Sequence, residues 1–322
     1  MNNNKMNTLI TKFTPDNKTE IKEYYDSQGY VVIKNILSHE KIDNFIEQYQ
    51  KVKRNKFFIY YSQSLHLPLR PKITSEGFIE ESIERVMDLK FFPGFSKAIS
   101  GCLIDRQISN VLSVISGSPN HTLWQNMFFD KSTGTVEHQD HYYLDTDPPG
   151  SLIGAWYALE DIHPESGCFF VIPGSHKGLV ISPKSSTSNI EGIEALVSEH
   201  DKMRKGIMNL IQEQKYEYKA FPLNKGDVLF WHPNTIHGAY KNENPKYSRK
   251  SFTAHFYPSH LKRANAKTPW LKQSSNPDIY IRANDLRVYA WNAKQYAVYF
   301  LNKLRGQNAI IDMRRQSYTD YS

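Results

Sequence analysis

A chain of 322 residues is long enough for one large domain or two ordinary ones, and with 39% apolar, 23% charged and 13% aromatic residues it can build a buried core. Two cysteines exclude a disulfide-stapled scaffold, and no stretch approaches the roughly 18 consecutive apolar residues of a membrane span. The net charge of +7 lies in residues 259–322, where 11 Lys and Arg face 4 Asp and Glu; this favours an anionic partner there or, equally, a solvated basic face.

The opening MNNNKMNTLITKF lacks the apolar core of a secretory signal and has too few Arg for a transit peptide, so a cytoplasmic protein with a flexible N-terminus over 1–18 is expected. In that compartment Cys102 and Cys168 are reduced core thiols, and the sequons at Asn17 and Asn120 carry no sugar. Helical spacing runs from Thr19 to Gln28 and from Ser38, a candidate cap, to Val52, with a β-branched strand, Tyr30 to Ile36, between them. Residues 80–116 repeat at helical spacing and close at the turn Gly117-Ser-Pro119, so the first third is expected to be mainly helical.

After Asn120 the texture changes. Short apolar or alternating runs at 121–129, 151–160, 168–173, 217–223, 226–231 and 248–257 indicate an antiparallel sandwich or barrel. Between them, 174–216 is a polar loop followed by a helical stretch from about Ile190 to Gln214, an insertion of the size used for lids. Residues 284–305 are helical again.

The densest chemistry lies in Val136-Glu-His138-Gln-Asp140-His141. In an extended chain residues two apart share a side, so His138 and Asp140 can hold one ion while Gln139 faces away. A third ligand must come from elsewhere, and His237, at the end of a strand before Gly238, is the candidate. Two His and one Asp occupy one face of an octahedral iron and leave three positions open. Twelve residues on, Arg249 can clamp a carboxylate through paired hydrogen bonds, with Ser251 and Thr253 on its face.

These stretches resemble the phytanoyl-CoA dioxygenase family of iron(II)/2-oxoglutarate oxygenases. The likeness is carried by Gln125, His138-Gln-Asp140, Ala155-Trp156, Glu160-Asp161, Ser166-Gly-Cys168, Pro173 to Gly178, Lys225-Gly-Asp227, His232-Pro233, His237-Gly238 and Arg249-Lys250. It reaches back to the strand Gln28 to Ile33 and so covers roughly 20–258. The resemblance implies a double-stranded β-helix core of the jelly-roll or cupin-like kind, beginning near residue 120 of an oxygenase domain over 19–258. The basic, partly helical extension 259–322 would pack on the same domain. It implies that His138, Asp140 and His237 bind iron(II), that Arg249 holds the distal carboxylate of 2-oxoglutarate, and that Trp156 and Gln125 line that site. Some family members have Ser after the His-Gly pair, where this chain has Ala239, so Ser251 or Thr253 would supply that hydrogen bond instead. Related halogenases replace the acidic ligand with a small residue; the presence of Asp140 argues for hydroxylation, with succinate as co-product of O2 and 2-oxoglutarate consumption.

Tyr142, Tyr143, Phe128 and His176 are the candidates for contact with substrate. Of the other histidines, His141 is a surface or substrate-contact residue, His232 a structural one before a proline, and His255 a hydrogen-bonded core residue on the face of Arg249. Substrate is expected to be a small anionic molecule bearing a phosphate, nucleotide or CoA group, recognised in part by Lys262, Arg263, Arg314 and Arg315. An oxygenase of nucleic acid is disfavoured because no recognisable nucleic-acid module is present. A non-catalytic, cupin-like metal- or sugar-binding protein is the rival from another class, and it has no use for Arg249. A monomer or homodimer fits equally.

Overall fold

The computed structural model describes residues 11–181, 193–264, 270–282 and 285–305. In chain order the elements are α1 (Lys18–Gln28), β1 (Tyr30–Ile33), α2 (His39–Lys53), β2 (Tyr60–Ser62), β3 (Leu67–Leu69), β4 (Ile83–Glu84), α3 (Pro93–Leu103), α4 (Arg106–Ser116), β5 (His121–Phe129), β6 (Thr133–His138) and the single turn α5 (His141–Leu144). There follow β7 (Thr146–Asp147), β8 (Ile153–Ala158), β9 (Phe169–Val171), α6 (Ile193–Glu213), β10 (Lys219–Phe221), β11 (Val228–Trp231), β12 (His237–Lys241), β13 (Ser251–Pro258), β14 (Lys262–Arg263), β15 (Leu271–Gln273), β16 (Ile279–Arg282) and α7 (Asp285–Leu304). Among the described residues no helix is long and apolar enough to cross a membrane.

Two sheets face each other, as in a jelly roll. The larger runs β1-β11-β8-β13-β5-β4-β2-β3, with β16 beside β5 and β15 beyond it; the smaller runs β10-β9-β12-β6. Strand alternation sorts the core into two layers. Val31, Ile33, Ala155, Tyr157, Val228, Phe230, Phe252 and Ala254 point outward onto the helices, where Ile42, Phe45, Tyr49 and Val52 of α2 recur at helical spacing to meet them. Their neighbours Tyr30, Val32, Trp156, Leu229 and Trp231 point inward and meet Phe169, Val171 and Phe221 of the smaller sheet.

β13 is the pivot of this arrangement. All eight of its residues are buried, and it pairs antiparallel with β5 on one side and β8 on the other. Phe252 lies against Phe45, Phe128 and Tyr157.

The structure revises several expectations. The helical pattern of 80–116 yields β4 and a single 3-10 turn, Val86–Asp88, first; the α-helices begin only at Pro93, whose fixed φ suits a first helical position. They break at Asp105, whose side chain accepts the Gln107 amide at 2.7 Å and starts α4. Ser38 precedes α2 as expected, but its side chain makes no capping bond. β1 stops at Ile33, where the chain turns and the Asn35 amide donates to Asp227.

Nor is the whole stretch 1–18 loose. Residues 1–10 lie outside the described residues, but Phe13 bridges Ile33 and Lys12 pairs with Asp227. Two strands of the smaller sheet, β6 and β12, and the short β2 to β4 were not among the expected runs. In the C-terminal extension, β16 joins the larger sheet parallel to β5, while Arg314 and Arg315 lie outside the described residues.

Replacing Phe252 with Ala removes a fully buried ring from the junction of sheet and helices, and should cost about 3–5 kcal/mol of stability. Urea unfolding is the check; a loss under about 1 kcal/mol, the size expected of a surface change, would contradict this packing.

Candidate active site

The barrel interior is where the polar residues collect. β6 and β12 are neighbours in the smaller sheet, and their register sets His138 directly opposite His237, with ring centroids 4.2 Å apart. Asp140 follows β6 by two residues. Its backbone is helical, not extended, and it opens α5 by accepting the amides of Tyr143 and Leu144. The shared face with His138 expected from strand alternation is therefore achieved by a turn.

The turn brings Asp140 Oδ1 to 3.7 Å from His138 Nε2 and Oδ2 to 3.6 Å from His237 Nε2. The three ligand atoms lie within 4.8 Å of one another, close enough to hold one metal ion. Gln139 faces away, as expected, and ties the loops around it through the carbonyl of Asn234 and the amide of Ile181.

The tautomer of both imidazoles is set by the backbone. His138 Nδ1 lies 2.9 Å from the Val136 carbonyl and His237 Nδ1 2.8 Å from the Thr235 carbonyl. A carbonyl only accepts, so each Nδ1 carries the proton and each Nε2 presents a lone pair inward. Burial, with His138 alongside, takes His237 down to about 3, so it is neutral and ready to ligate at neutral pH.

Asp140 is 3% exposed. Burial alone pushes its carboxyl up, but the imidazoles of His237, His255 and His138, together with a hydrogen bond from His255, outweigh that and hold it well below the usual carboxylate range. Its Oδ2 accepts the Trp231 indole N–H at 2.8 Å and lies 3.2 Å from His255 Nε2. Gly154 on β8 makes the first of these contacts feasible, because any Cβ there would overlap the Trp231 ring.

Arg249 enters just before β13, its amide bonded to the Asp130 carbonyl. The guanidinium is 3% exposed and donates Nη1 to the Gly167 carbonyl at 3.1 Å, with the rings of Trp156 and Phe129 5.7 and 5.4 Å away. Its Nε is buried with no partner among the described residues. Burial lowers it to about 10, which still leaves it charged at neutral pH. A buried cation with an unspent donor fits the carboxylate of a bound organic acid.

The register of β13 places the remaining candidates. Thr253 lies opposite Trp156, Ser251 opposite Phe129, and Gln125 opposite His255, all on the inward face. Phe128 does not join them. It points to the helix side, against Phe45, Tyr49 and Phe252, and its neighbour Phe129 takes the inward position.

His176 is also employed elsewhere: it packs against His232 and bonds the Asp26 carbonyl, bracing the turn at Gly29. Tyr142 is buried beneath α6 with Met203 and Ile207, whereas Tyr143 is 38% exposed beside His138, ring centroids 6.4 Å apart. His141 pairs with Asp145, and His232 accepts the Asn234 amide within its turn. Trp231 and Gly154 escaped the sequence reading; the strand alternation that put Trp231 and Trp156 on one face was the available signal.

Two imidazoles and a carboxylate converging inside a double-stranded β-helix, with a buried guanidinium nearby, define an iron(II)- and 2-oxoglutarate-dependent oxygenase. More particularly, residues 25–251 match the family described as Phytanoyl-CoA dioxygenase (PhyH), and the chain belongs to it. It is 27% identical over 256 residues to the human "Phytanoyl-CoA dioxygenase, peroxisomal", covering 76% of this chain and 70% of that protein. To the "Phytanoyl-CoA dioxygenase" of Arabidopsis thaliana it is 25% identical over 304 residues, covering 85% and 99%. Among solved structures, the carbocyclase SnoK from nogalamycin biosynthesis superposes with a TM-score of 0.55 at 19% identity, covering 78% of this chain and 88% of that one. The epimerase SnoN, in complex with Fe3+, alpha ketoglutarate and nogalamycin RO, has the same TM-score at 16% identity, covering 83% and 99%. Both share the fold.

Trp231→Phe keeps the ring and deletes the N–H, and is expected to weaken Mn(II) binding roughly 10- to 100-fold in equilibrium dialysis. Unchanged affinity would show that the indole does not hold the ligand. A second expectation concerns acid. Burial lowers His121 and His232 to about 4 and His237 to about 3. The unfolded chain protonates such groups below about 6.5, while the folded chain does not until about 4. Stability of the metal-free protein should therefore fall as pH drops from about 6.5 to 4. A denaturation midpoint that stays constant across that window contradicts the assignment.

Proposed function

We propose that this protein hydroxylates an aliphatic C–H bond of a small anionic metabolite, with His138, Asp140 and His237 holding iron(II) and Arg249 holding the distal carboxylate of 2-oxoglutarate. The observation that carries the reading is the convergence of the three ligand atoms in one buried site that also contains a charged guanidinium with a free donor. When bound, iron(II) with 2-oxoglutarate and O2 supplies the oxidation, releasing succinate and CO2.

The chain's own residues bind, orient and exclude water. Trp231 and His255 occupy Asp140 Oδ2 and leave Oδ1 for the metal. Trp156 and Phe129 wall the Arg249 guanidinium, so its carboxylate partner is held away from water, where the pair is stronger. Gln125, Ser251 and Thr253 supply polar groups on the same face; Ser251 or Thr253 would give the hydrogen bond that a serine after the His-Gly pair gives in some family members, where this chain has Ala239. Tyr143, beside His138 and near α6, is the group best placed to meet substrate. Tyr142 supports it from beneath.

Retention of the acidic ligand Asp140 supports hydroxylation over halogenation. The rival reading, a metal- or sugar-binding module, gives no reason for a buried Arg249. Two free, buried thiols, Cys102 and Cys168, support a reducing, cytoplasmic setting.

The test is succinate release by the full chain with iron(II), 2-oxoglutarate and O2. Wild type should turn over, His138→Ala should not, and Arg249→Ala should raise KM for 2-oxoglutarate by at least about tenfold, since a charge-assisted hydrogen bond contributes about 1.5–3 kcal/mol. Equal low turnover, no higher than in His138→Ala, in both wild type and Arg249→Ala removes the oxygenase reading, and an equal KM in the two removes Arg249 as the carboxylate anchor. With a metabolite extract, the substrate is the compound that gains one oxygen.

A further inference from the structure

The two faces of α7 have different surroundings. Its inner face is fixed to the domain: Val288, Asn292 and Gln295 are buried, Asn292 Nδ2 donates to the Asp88 carbonyl at 2.6 Å, and the Tyr296 hydroxyl donates to the Phe57 carbonyl at 2.6 Å. Trp291 completes the attachment, with the Arg85 guanidinium 4.0 Å from its ring centroid and the Tyr61 ring at 6.1 Å. Solvent therefore meets only the opposite face, where a surface helix ordinarily carries polar residues.

The sequence puts apolar residues there instead. Leu286, Tyr289, Phe300, Leu301 and Leu304 are all exposed, Leu286 and Leu304 at 83% and 84%. At 3.6 residues per turn they share an arc of about 120° with the exposed Ala290, Ala293 and Ala297, and no polar residue interrupts it. Two rings from other elements widen the strip. Phe91 packs on Tyr289 and Tyr296, with ring centroids 6.3 and 5.2 Å apart, and the exposed Phe57 adjoins it through the Tyr296 bond. A contiguous apolar strip of this kind marks a docking surface.

Charge selects the occupant. Lys294 and Arg305 border the strip along one edge and Lys303 along the other; all three are exposed, and none is in an ion pair among the described residues. Residues 286–305 contain no Asp or Glu. Lys56 adds a cation beside Phe57, its Nζ 5.1 Å from the centre of that ring. A second copy of the chain, docked strip to strip, would set cation against cation along both edges. The complementary partner is apolar beneath the strip and anionic at its borders.

Shape narrows the choice further. Because the inner face of α7 is already buried, no groove can close around the helix, and Phe57 and Phe91 continue the strip sideways into a broad face. A bilayer surface with anionic headgroups offers this combination: acyl chains receive the rings and leucines, while Lys and Arg lay their stems along the apolar boundary and keep their charges among the headgroups. Among the described residues no helix is long and apolar enough to cross a membrane, so α7 would lie along the surface.

We propose that α7, together with Phe57 and Phe91, docks this protein onto an anionic phospholipid surface, with the helix axis in the plane of the headgroups. The inference does not rest on the oxygenase reading.

The experiment is flotation of the full chain with vesicles of phosphatidylcholine alone and of equal parts phosphatidylcholine and phosphatidylserine. Wild type should bind the mixed vesicles at least about tenfold more strongly than the neutral ones, and release as salt is raised. Phe300→Ser/Leu304→Ser and Lys294→Gln/Lys303→Gln should each weaken that binding at least about tenfold while Mn(II) binding is retained. Equal binding to both vesicles, or unchanged binding of either double variant, overturns the proposal. Absence of wild-type flotation overturns it too, and a dimer in sedimentation equilibrium that Leu304→Ser dissociates would then give the strip to a second copy. Should a double variant not fold, Ala297→Asp, at an exposed position within the arc, must still weaken flotation, and equality with wild type is likewise a refutation.

Discussion

An ionised carboxylate withdrawn from water is costly unless donors surround it, and Asp140 is held in that state without an ion pair to Lys or Arg among the described residues. Its stabilisation comes from an indole N–H and the ring of His255, each from a different strand, while the neutral imidazoles of His138 and His237 turn their Nε2 lone pairs toward the same site. The surrounding architecture follows from this arrangement. β11 must deliver Trp231, β8 must be glycine opposite it, β13 must turn His255 inward, and β6 and β12 must pair with their histidines abreast. A one-residue slip in any of these registers would reverse the faces and strand the charge.

The same alternation separates chemistry from stability. Residues of β13 with odd numbers face the interior, on the side of the candidate metal ligands; those with even numbers face the helices and form the larger core. Arg249 stands two residues before Ser251 and continues the odd series, its backbone bonded to Asp130, which also accepts the Tyr49 hydroxyl of α2. The guanidinium is thus positioned by the strand that organises the core, which is how a flexible side chain comes to be fixed.

Strands with one apolar face and long buried runs, such as β8, β11 and β13, were legible because period-two patterning and burial coincide. β6 was not: Thr133, Gly134, Thr135 and Glu137 are half-buried or exposed, and carry no apolar signal although the strand bears an iron-ligand candidate. The iron-ligand and Arg249 motifs were visible through family likeness, but Trp231 was not, since its contact depends on an absent side chain at Gly154 some eighty positions away. Phe128 was misplaced for a simpler reason. With Gln125 inward, strand parity sends Phe129 inward and Phe128 out.

The rings of His138 and His237 are each oriented by the carbonyl two residues upstream, that of Val136 within β6 and that of Thr235 in the turn before β12. The face and tautomer that each ring presents are thereby set by backbone position, so a substitution that displaces either carbonyl would turn a ligand nitrogen aside while leaving the histidine itself in place.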